Sequence, residues 1–150
     1  MIAVILLFLF LIISFYTDYK HRTLPIWLLV AISALTFIWS YNKQQFLYVH
    51  EYIINIVFLF FLLFGMIGFW RIKRQPISTF FSSAFGLADV WIMVLWAFTL
   101  PPNWFLLNIV VGSISALLLT AILRWKTVPL AGIWCLCFGM FIIVNQLNIL

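Results

Sequence analysis

Long apolar runs separated by short polar breaks constrain the fold of this chain more than any other feature. A helix needs roughly 20 apolar residues to cross the hydrocarbon core of a bilayer. Three runs reach that length and the other three have about 14–15 residues, so we expect some helices to extend beyond the apolar count. The pattern predicts an all-α polytopic membrane protein with six transmembrane helices, over Ile2–Tyr16, Pro25–Trp39, Tyr52–Trp70, Leu87–Leu100, Trp104–Leu123 and Val128–Leu147.

The composition agrees with a membrane protein. Of the 150 residues, 67% are hydrophobic and 7% are charged, whereas a soluble domain is about half apolar and about a quarter charged. The length predicts a single integral-membrane domain over residues 1–150. We expect the first run to be a retained membrane helix, because no Lys or Arg precedes it and no small-x-small cleavage pattern follows it. The C-x-C spacing of Cys135 and Cys137 favours buried packing over a zinc site or a disulfide framework.

The polar breaks contain the signals for helix starts. Proline suits the first turn of a helix, where the N–H that it lacks would be unpaired anyway, and Pro25 and Pro129 are predicted to take that position. The pair Pro101–Pro102 predicts a tight turn between the fourth and fifth spans. The third break, from Arg71 to about Gly86, fits either a segment lying in the membrane interface or a simple connecting loop.

The basic residues predict the orientation in the membrane. The first, third and fifth breaks carry all but one of the 8 Lys and Arg residues, and the exception is Lys43 in the second break. Short loops rich in Lys and Arg stay cytoplasmic, so both termini are expected outside, in a bacterial plasma membrane. The net charge of +5 therefore reflects topology, and we expect no nucleic-acid partner.

The acidic residues single out one face of the membrane. The chain has three of them, and the predicted topology places Asp18 and Asp89 at the cytoplasmic ends of their spans and Glu51 on the other side. An ionisable group at membrane depth costs about 2.5–3.5 kcal/mol or more, so its default interpretation is functional. Structural roles are the alternatives: Asp18 could pair with Arg22 four residues on, and Asp89 could complement a helix dipole.

Two carboxyl groups that lie close together have a defined chemistry. Because like charges a few Å apart do not both ionise easily, the pair shares a proton. The ionised member can take a proton from water while the protonated member polarises a peptide carbonyl. If Asp18 and Asp89 meet, the sequence therefore predicts an aspartyl hydrolase centre that needs no metal or other cofactor.

Two motifs resemble those of the type IV prepilin (leader) peptidases, which are membrane aspartyl proteases of the GxGD type. The first is D-Y-K-H-R-T-L-P, Asp18 through Pro25, and the second is G-L-A-D, Gly86 through Asp89. The run V-P-L-A-G, Val128 through Gly132, is a weaker likeness to a proline-containing motif of the last helix. The likeness covers nearly the whole chain. The chain is similar to the compact members of the family, which contain the peptidase alone.

The resemblance implies that Asp18 and Asp89 form a catalytic pair. Arg22, Pro25, Ala88 and Pro129 would support the two motifs. Gly86 would let the backbone turn close to the substrate, because glycine accepts conformations that other residues resist. Three positions depart from the family pattern, namely Ala88 for the second motif glycine, Trp91 for a frequent lysine and Ile26 for a frequent asparagine.

The implied substrates are prepilin-like or pseudopilin-like proteins, from which a short basic leader would be cut on the cytoplasmic side of their apolar helix. Since the expected leader and the cytoplasmic breaks are both basic, we expect recognition mainly through that apolar helix, with membrane lipid as the other partner. Two alternatives remain open on the residues alone. One is a non-enzymatic membrane protein of pilus assembly or secretion, and the other is a small transporter that uses the two aspartates as proton or cation sites.

Overall fold

The computed structural model describes residues 2–21, 23–42, 48–74, 76, 86–123 and 130–146. Within these ranges the chain forms six helices and no strand. The predicted all-α class is confirmed, and a helix lies at each of the six predicted spans. The helices are α1 (Ile2–His21), α2 (Ile26–Asn42), α3 (Val49–Ile72), α4 (Leu87–Thr99), α5 (Pro102–Leu123) and α6 (Leu130–Gln146).

The helices have the lengths and surfaces of a membrane protein. Three of them, α1, α3 and α5, are long and apolar enough to cross a bilayer, and the other three are shorter apolar helices. Large apolar side chains face outward, as Phe61 and Phe64 do on α3, with 77% and 70% of their surface exposed. Exposed apolar area of this extent is unfavourable in water and suits lipid contact. The protein is therefore a polytopic membrane protein.

Helix α1 extends five residues beyond its predicted end at Tyr16, which confirms that some helices exceed the apolar count. Its polar residues fit the helix because their side chains bond to its own backbone. Ser14 Oγ donates to the carbonyl of Phe10 at 2.8 Å, and Thr17 Oγ1 donates to the carbonyl of Ile13 at 2.9 Å. Asp18 consequently lies on a helix, one turn before its end, where its direction is fixed by the helix geometry.

Helix α6 packs most extensively against α1 and α5, α2 packs against α1 and α4, and α3 packs against α4 and α5. Successive helices alternate in direction. Gly139 of α6 faces Phe8 of α1, whereas Gly132, two turns earlier, faces Phe15 of α1, so these two helices are antiparallel. The same end of the bundle thus gathers the ends of α1, α3 and α5 and the starts of α2, α4 and α6. We call it the aspartate end, since it carries Asp18.

Large aromatic side chains fill the core between these helices. Trp96 of α4 contacts Trp134 and Phe138 of α6, with ring centroids 6.1 and 5.5 Å apart. Trp134 also lies against Gly112 of α5, where any Cβ would overlap the indole ring. Aromatic contacts of this kind add about 0.5–1.5 kcal/mol beyond the area buried. They hold α4 and α6 together, and these are the helices whose starts meet at the aspartate end.

The prolines mark helix starts with one shift from the prediction. Pro102 is the first residue of α5, and the preceding Pro101 accepts the N–H of Phe105 at 2.9 Å. Pro25 was predicted inside the first turn of α2, but it precedes the helix and its carbonyl accepts the N–H of Leu28 at 3.0 Å. Pro25 is therefore the N-cap, a boundary shift of one residue. Pro129 and residues 77–85 of the third break lie outside the described residues.

A buried asparagine completes the end of α4. Asn55 of α3 is 1% exposed, and its Nδ2 donates to the carbonyls of Ala97 and Leu100 at 3.0 and 2.8 Å. In a continuing helix the Ala97 carbonyl would accept the N–H of residue 101, but that residue is proline and has no N–H. Asn55 supplies the missing donor. An unpaired carbonyl at this depth would be costly in lipid.

We expect Asn55→Leu to lower the free energy of unfolding by about 1–3 kcal/mol, because it leaves two buried carbonyls without this donor. Thr99→Val is the matched control, since the Thr99 hydroxyl donates only to the carbonyl of Leu95 in its own helix. Thermal unfolding in detergent micelles measures both. Equal midpoints for the two variants would contradict this role of Asn55.

Candidate active site

Asp18 is a buried carboxylate held by the start of another helix. Its side chain is 8% exposed, and its Oδ2 accepts the backbone N–H of Gly132 at 2.8 Å. Gly132 is the third residue of α6, so its N–H is one of the first four that have no acceptor within the helix. The helix dipole also favours a negative charge at this position. The contact joins residues 114 positions apart in the chain.

Asp89 is half-buried and lies at the third position of α4. Its Oδ2 accepts the N–H of Gly86 at 2.9 Å, and its own N–H donates to the Gly86 carbonyl at 3.1 Å. An acidic residue that reaches back to the N-cap N–H is half of the capping-box arrangement. The structural alternative for Asp89 is thus present: the carboxylate does stabilise the start of its helix. Any catalytic role of Asp89 depends on the other groups that its carboxylate faces.

The two carboxyl groups come together at the aspartate end. Asp18 lies close enough to Asp89 for the charges to repel each other, and the backbone of Ala131 also interacts with the Asp89 carboxylate. Ala131 precedes Gly132 in the first turn of α6. This turn holds Asp18 through the Gly132 N–H and lies near Asp89. Two acids from distant spans thus share one end of the bundle, and their joint role in catalysis stays a prediction.

Gly132 is a residue of this site to which the sequence assigned no role. A Cβ at position 132 would lie 3.0 Å from the Cα of Phe15 and 3.1 Å from both Cβ and Oδ2 of Asp18. Glycine is thus required for α6 to approach α1 this closely. The sequence offered one signal for Gly132, namely a glycine shortly after Pro129 at a predicted helix start. Spacing could not identify Asp18 on α1 as its partner.

The prediction for Gly86 needs a correction. Its φ and ψ are −71° and 150°, which is ordinary extended backbone that any residue adopts. The idea that glycine is needed there for an unusual conformation is wrong. A Cβ at position 86 would instead lie 3.2 Å from Asp89 Oδ2, so glycine leaves room for the capping carboxylate.

The other predicted residues lie around the pair or outside the described part. Ala88 packs partly buried against the core. Pro25 caps α2 at the same end of the bundle. Trp91, which departs from the family pattern, donates its Nε1–H to Ser33 Oγ at 3.0 Å and so links α4 to α2. Arg22 and Pro129 lie outside the described residues.

Two further ionisable side chains are the thiol of Cys135 and the carboxylate of Glu51. Cys135, in the second turn of α6, is buried. Glu51 lies at the opposite end of the bundle, where its Oε2 accepts the N–H of Tyr48 at 2.8 Å and caps α3. In the described part of the chain, no three His, Cys, Asp or Glu side chains are grouped so that they could hold a metal ion.

The arrangement can carry acid–base chemistry. Two neighbouring carboxyl groups disfavour double ionisation and share one proton. Such a pair can act as a base toward water and as an acid toward a carbonyl oxygen at once. Burial and the backbone donors of α6 hold the two groups in place. The surrounding apolar core strengthens their electrostatic effect.

Comparison with known proteins assigns a family. The model of the type IV leader peptidase family matches residues 5–121 of the chain. The match includes Asp18, Gly86 and Asp89 and ends within α5, so the Ala131–Gly132 turn lies beyond it. No match was found among curated proteins or among solved structures.

Two substitutions of Asp89 separate the effect of its capping hydrogen bond from the effect of its negative charge. We expect the free energy of unfolding of Asp89→Asn to exceed that of Asp89→Ala by about 1 kcal/mol, because the Asn side-chain oxygen can still accept the Gly86 N–H. Both variants remove the repulsion with Asp18, so their difference isolates the cap. Glu51→Gln and Glu51→Ala form the matched pair at α3. Equal stability of Asp89→Asn and Asp89→Ala would contradict the capping role.

Proposed function

The chain belongs to the type IV leader peptidase family, and we propose that it is a membrane aspartyl endopeptidase that cleaves the short basic leader of prepilin-like or pseudopilin-like proteins. The observation that carries the proposal is that Asp18 and Asp89, the two acids of the runs that resemble the family motifs, lie at the same end of the bundle, where the first turn of α6 holds Asp18. A structural role alone would explain either acid singly. It does not explain why two like charges share one partly buried site, since their repulsion destabilises the fold.

The proposed reaction uses the pair as one acid–base unit. The ionised carboxylate takes a proton from a water molecule, whose oxygen attacks the scissile carbonyl carbon. The protonated carboxyl group gives its proton to the carbonyl oxygen, and a neutral tetrahedral diol forms. Proton transfer to the amide nitrogen then lets the C–N bond break, which releases a carboxylic acid and an amine and leaves one proton on the pair.

The surface around the site supports a helical substrate. Large apolar side chains cover the outside of the bundle, whereas the described cations at the aspartate end, among them Lys20, Arg71 and Lys73, are exposed. A basic leader gains no attraction from these cations. The protein is therefore proposed to recognise its substrate mainly through the apolar helix of that substrate, which lies in the same lipid.

The site is proposed to face the cytoplasm, with both termini outside the plasma membrane. Arg71 lies in the last turn of α3, Lys73 and Arg74 follow that helix, and all three therefore lie at the aspartate end. Their positive charge supports a cytoplasmic location for that end. The substrate leader would then be cut where it emerges from the membrane on the cytoplasmic side.

Leader cleavage tests the catalytic assignment. Co-expression with a prepilin-like substrate, which has a basic leader, a glycine before the cut and an apolar helix, is followed by the gel shift that leader loss produces. We expect Asp18→Asn and Asp89→Asn each to lower the cleavage rate about 100-fold or more, because each removes one half of the acid–base pair.

Glu51→Gln is the matched control, since Glu51 caps α3 as Asp89 caps α4 but lies at the other end. Normal processing by Glu51→Gln with loss in both aspartate variants supports the peptidase. Unimpaired processing by both aspartate variants would refute the mechanism. Failure of the unmodified chain on several such substrates would favour a non-enzymatic member, and proton-coupled uptake in proteoliposomes would favour the transporter.

The orientation has its own test on the two ends of α3. Tyr48 and Lys73 are both exposed and flank this helix. In spheroplasts we expect a membrane-impermeant maleimide to label Tyr48→Cys directly and Lys73→Cys only after permeabilisation, because the basic end faces the cytoplasm. The unmodified chain gives the background from Cys135 and Cys137. The reverse labelling pattern would overturn the proposed orientation.

A further inference from the structure

The first turn of α6 contributes backbone rather than side chains to the aspartate pair. The N–H of Gly132 donates to Asp18 Oδ2 at 2.8 Å, and the backbone of Ala131 interacts with the Asp89 carboxylate. These N–H groups have no acceptor inside their own helix because they belong to its first turn. The bond from the Gly132 N–H to Asp18 therefore costs no helical hydrogen bond.

Close approach of the two helices makes these bonds possible. The atom nearest to a Cβ at position 132 is the backbone Cα of Phe15, at 3.0 Å. Backbone cannot rotate out of the way as a side chain can. Any side chain at position 132 must therefore push the first turn of α6 away from α1 and lengthen the Gly132–Asp18 bond.

Gly139 provides an internal comparison on the same pair of helices. It lies two turns further along α6 and also faces α1, where a Cβ would lie 3.1 Å from the ring edge of Phe8. Here the neighbour is the far end of a side chain, which can move by the few tenths of an Å required. The two glycines share a helix and an interface but differ in their distance from the aspartates.

We propose that Gly132 is a positioning residue for the reaction: its N–H fixes the Asp18 carboxylate, and its missing Cβ brings the α6 turn against Asp18 and the backbone of α1. The inference rests on the proposed peptidase function. It extends the site to α6, beyond the residues that the family model matches. Gly132 acts through Asp18 and contacts no reacting atom itself.

The need for such a residue follows from the repulsion within the pair. Two like-charged groups on separate helices tend to rotate or move apart unless other contacts hold them. Acid–base chemistry requires both groups within about 0.5 Å of the productive geometry. A backbone donor is well suited to this task, because a helix turn has far less freedom than a side chain.

The sharpest test removes the N–H without adding a Cβ. Replacing the amide at position 132 by an ester, through Gly132→glycolic acid in cell-free synthesis, exchanges N–H for oxygen and preserves the shape. The same exchange at Gly139 is the matched control. It removes an N–H within the regular part of α6, and it weakens the preceding carbonyl in the same way.

We expect the ester at position 132 to lower kcat about 10- to 100-fold, the effect of one hydrogen bond to a charged group, with KM changed by less than about twofold. The ester at position 139 should lower thermal stability and leave kcat of the folded fraction unchanged. Gly132→Ala should reproduce the loss of kcat, whereas Gly139→Ala should not. Equal kcat losses in the two ester variants, or none at position 132, would overturn the proposal.

A double-mutant cycle separates this inference from the proposed function, since it needs no substrate. The ester at position 132 is combined with Asp18→Ala, and thermal midpoints are measured for all four chains. If Gly132 holds Asp18, the ester lowers the midpoint of the unmodified chain and has less than half that effect in Asp18→Ala. Additive effects would refute the contact whether or not cleavage occurs. Strong coupling together with no cleavage by the unmodified chain would count against the peptidase, and against a role of the contact in catalysis.

Discussion

The repulsion between Asp18 and Asp89 is the constraint on which the rest of the structure depends. Two carboxyl groups on separate helices remain together only if other contacts oppose their separation. The first turn of α6 holds Asp18 through the Gly132 N–H, and the aromatic packing of Trp96 on Trp134 and Phe138 ties α6 to the helix that carries Asp89. Glycines at positions 132 and 112 let α6 approach its neighbours closely enough for this arrangement. The core is therefore arranged so that the starts of two helices meet one buried acid.

Much of the fold follows from the chain by simple physical rules. Apolar runs gave six helices because lipid leaves the backbone few other ways to satisfy its polar groups. The order of these runs also predicted the side on which each acid lies, because alternating spans return every second polar break to the same side of the membrane. Only three acids occur in 150 residues, so two on one side already indicated a site. Asp18 and Asp89 could be placed at one face in this way, but whether their side chains meet could not be derived from the sequence.

The parts that sequence patterns did not reveal depend on contacts between distant backbone groups. Gly132 serves Asp18 through an N–H, which every residue but proline possesses, so residue type gave no sign of that partner. Asn55 looks like an isolated polar residue in an apolar helix until its donors are seen on the carbonyls before Pro101. Gly86 was expected to adopt a special conformation, whereas it only leaves space for Asp89. Helix ends shifted for a similar reason: side-chain bonds to the backbone let α1 continue past its apolar residues.

The shortness of α4 has a consequence for the surrounding lipid. Its 13 residues rise about 20 Å at 1.5 Å per residue, whereas the hydrocarbon core of a bilayer is about 30 Å thick. Asn55 fixes the far end of α4, so the helix does not gain length there. The difference must be met by local thinning of the bilayer or by a water-filled recess over Asp89. Either response would bring water close to a site at membrane depth, so hydration of the aspartates would depend on the thickness of the host membrane.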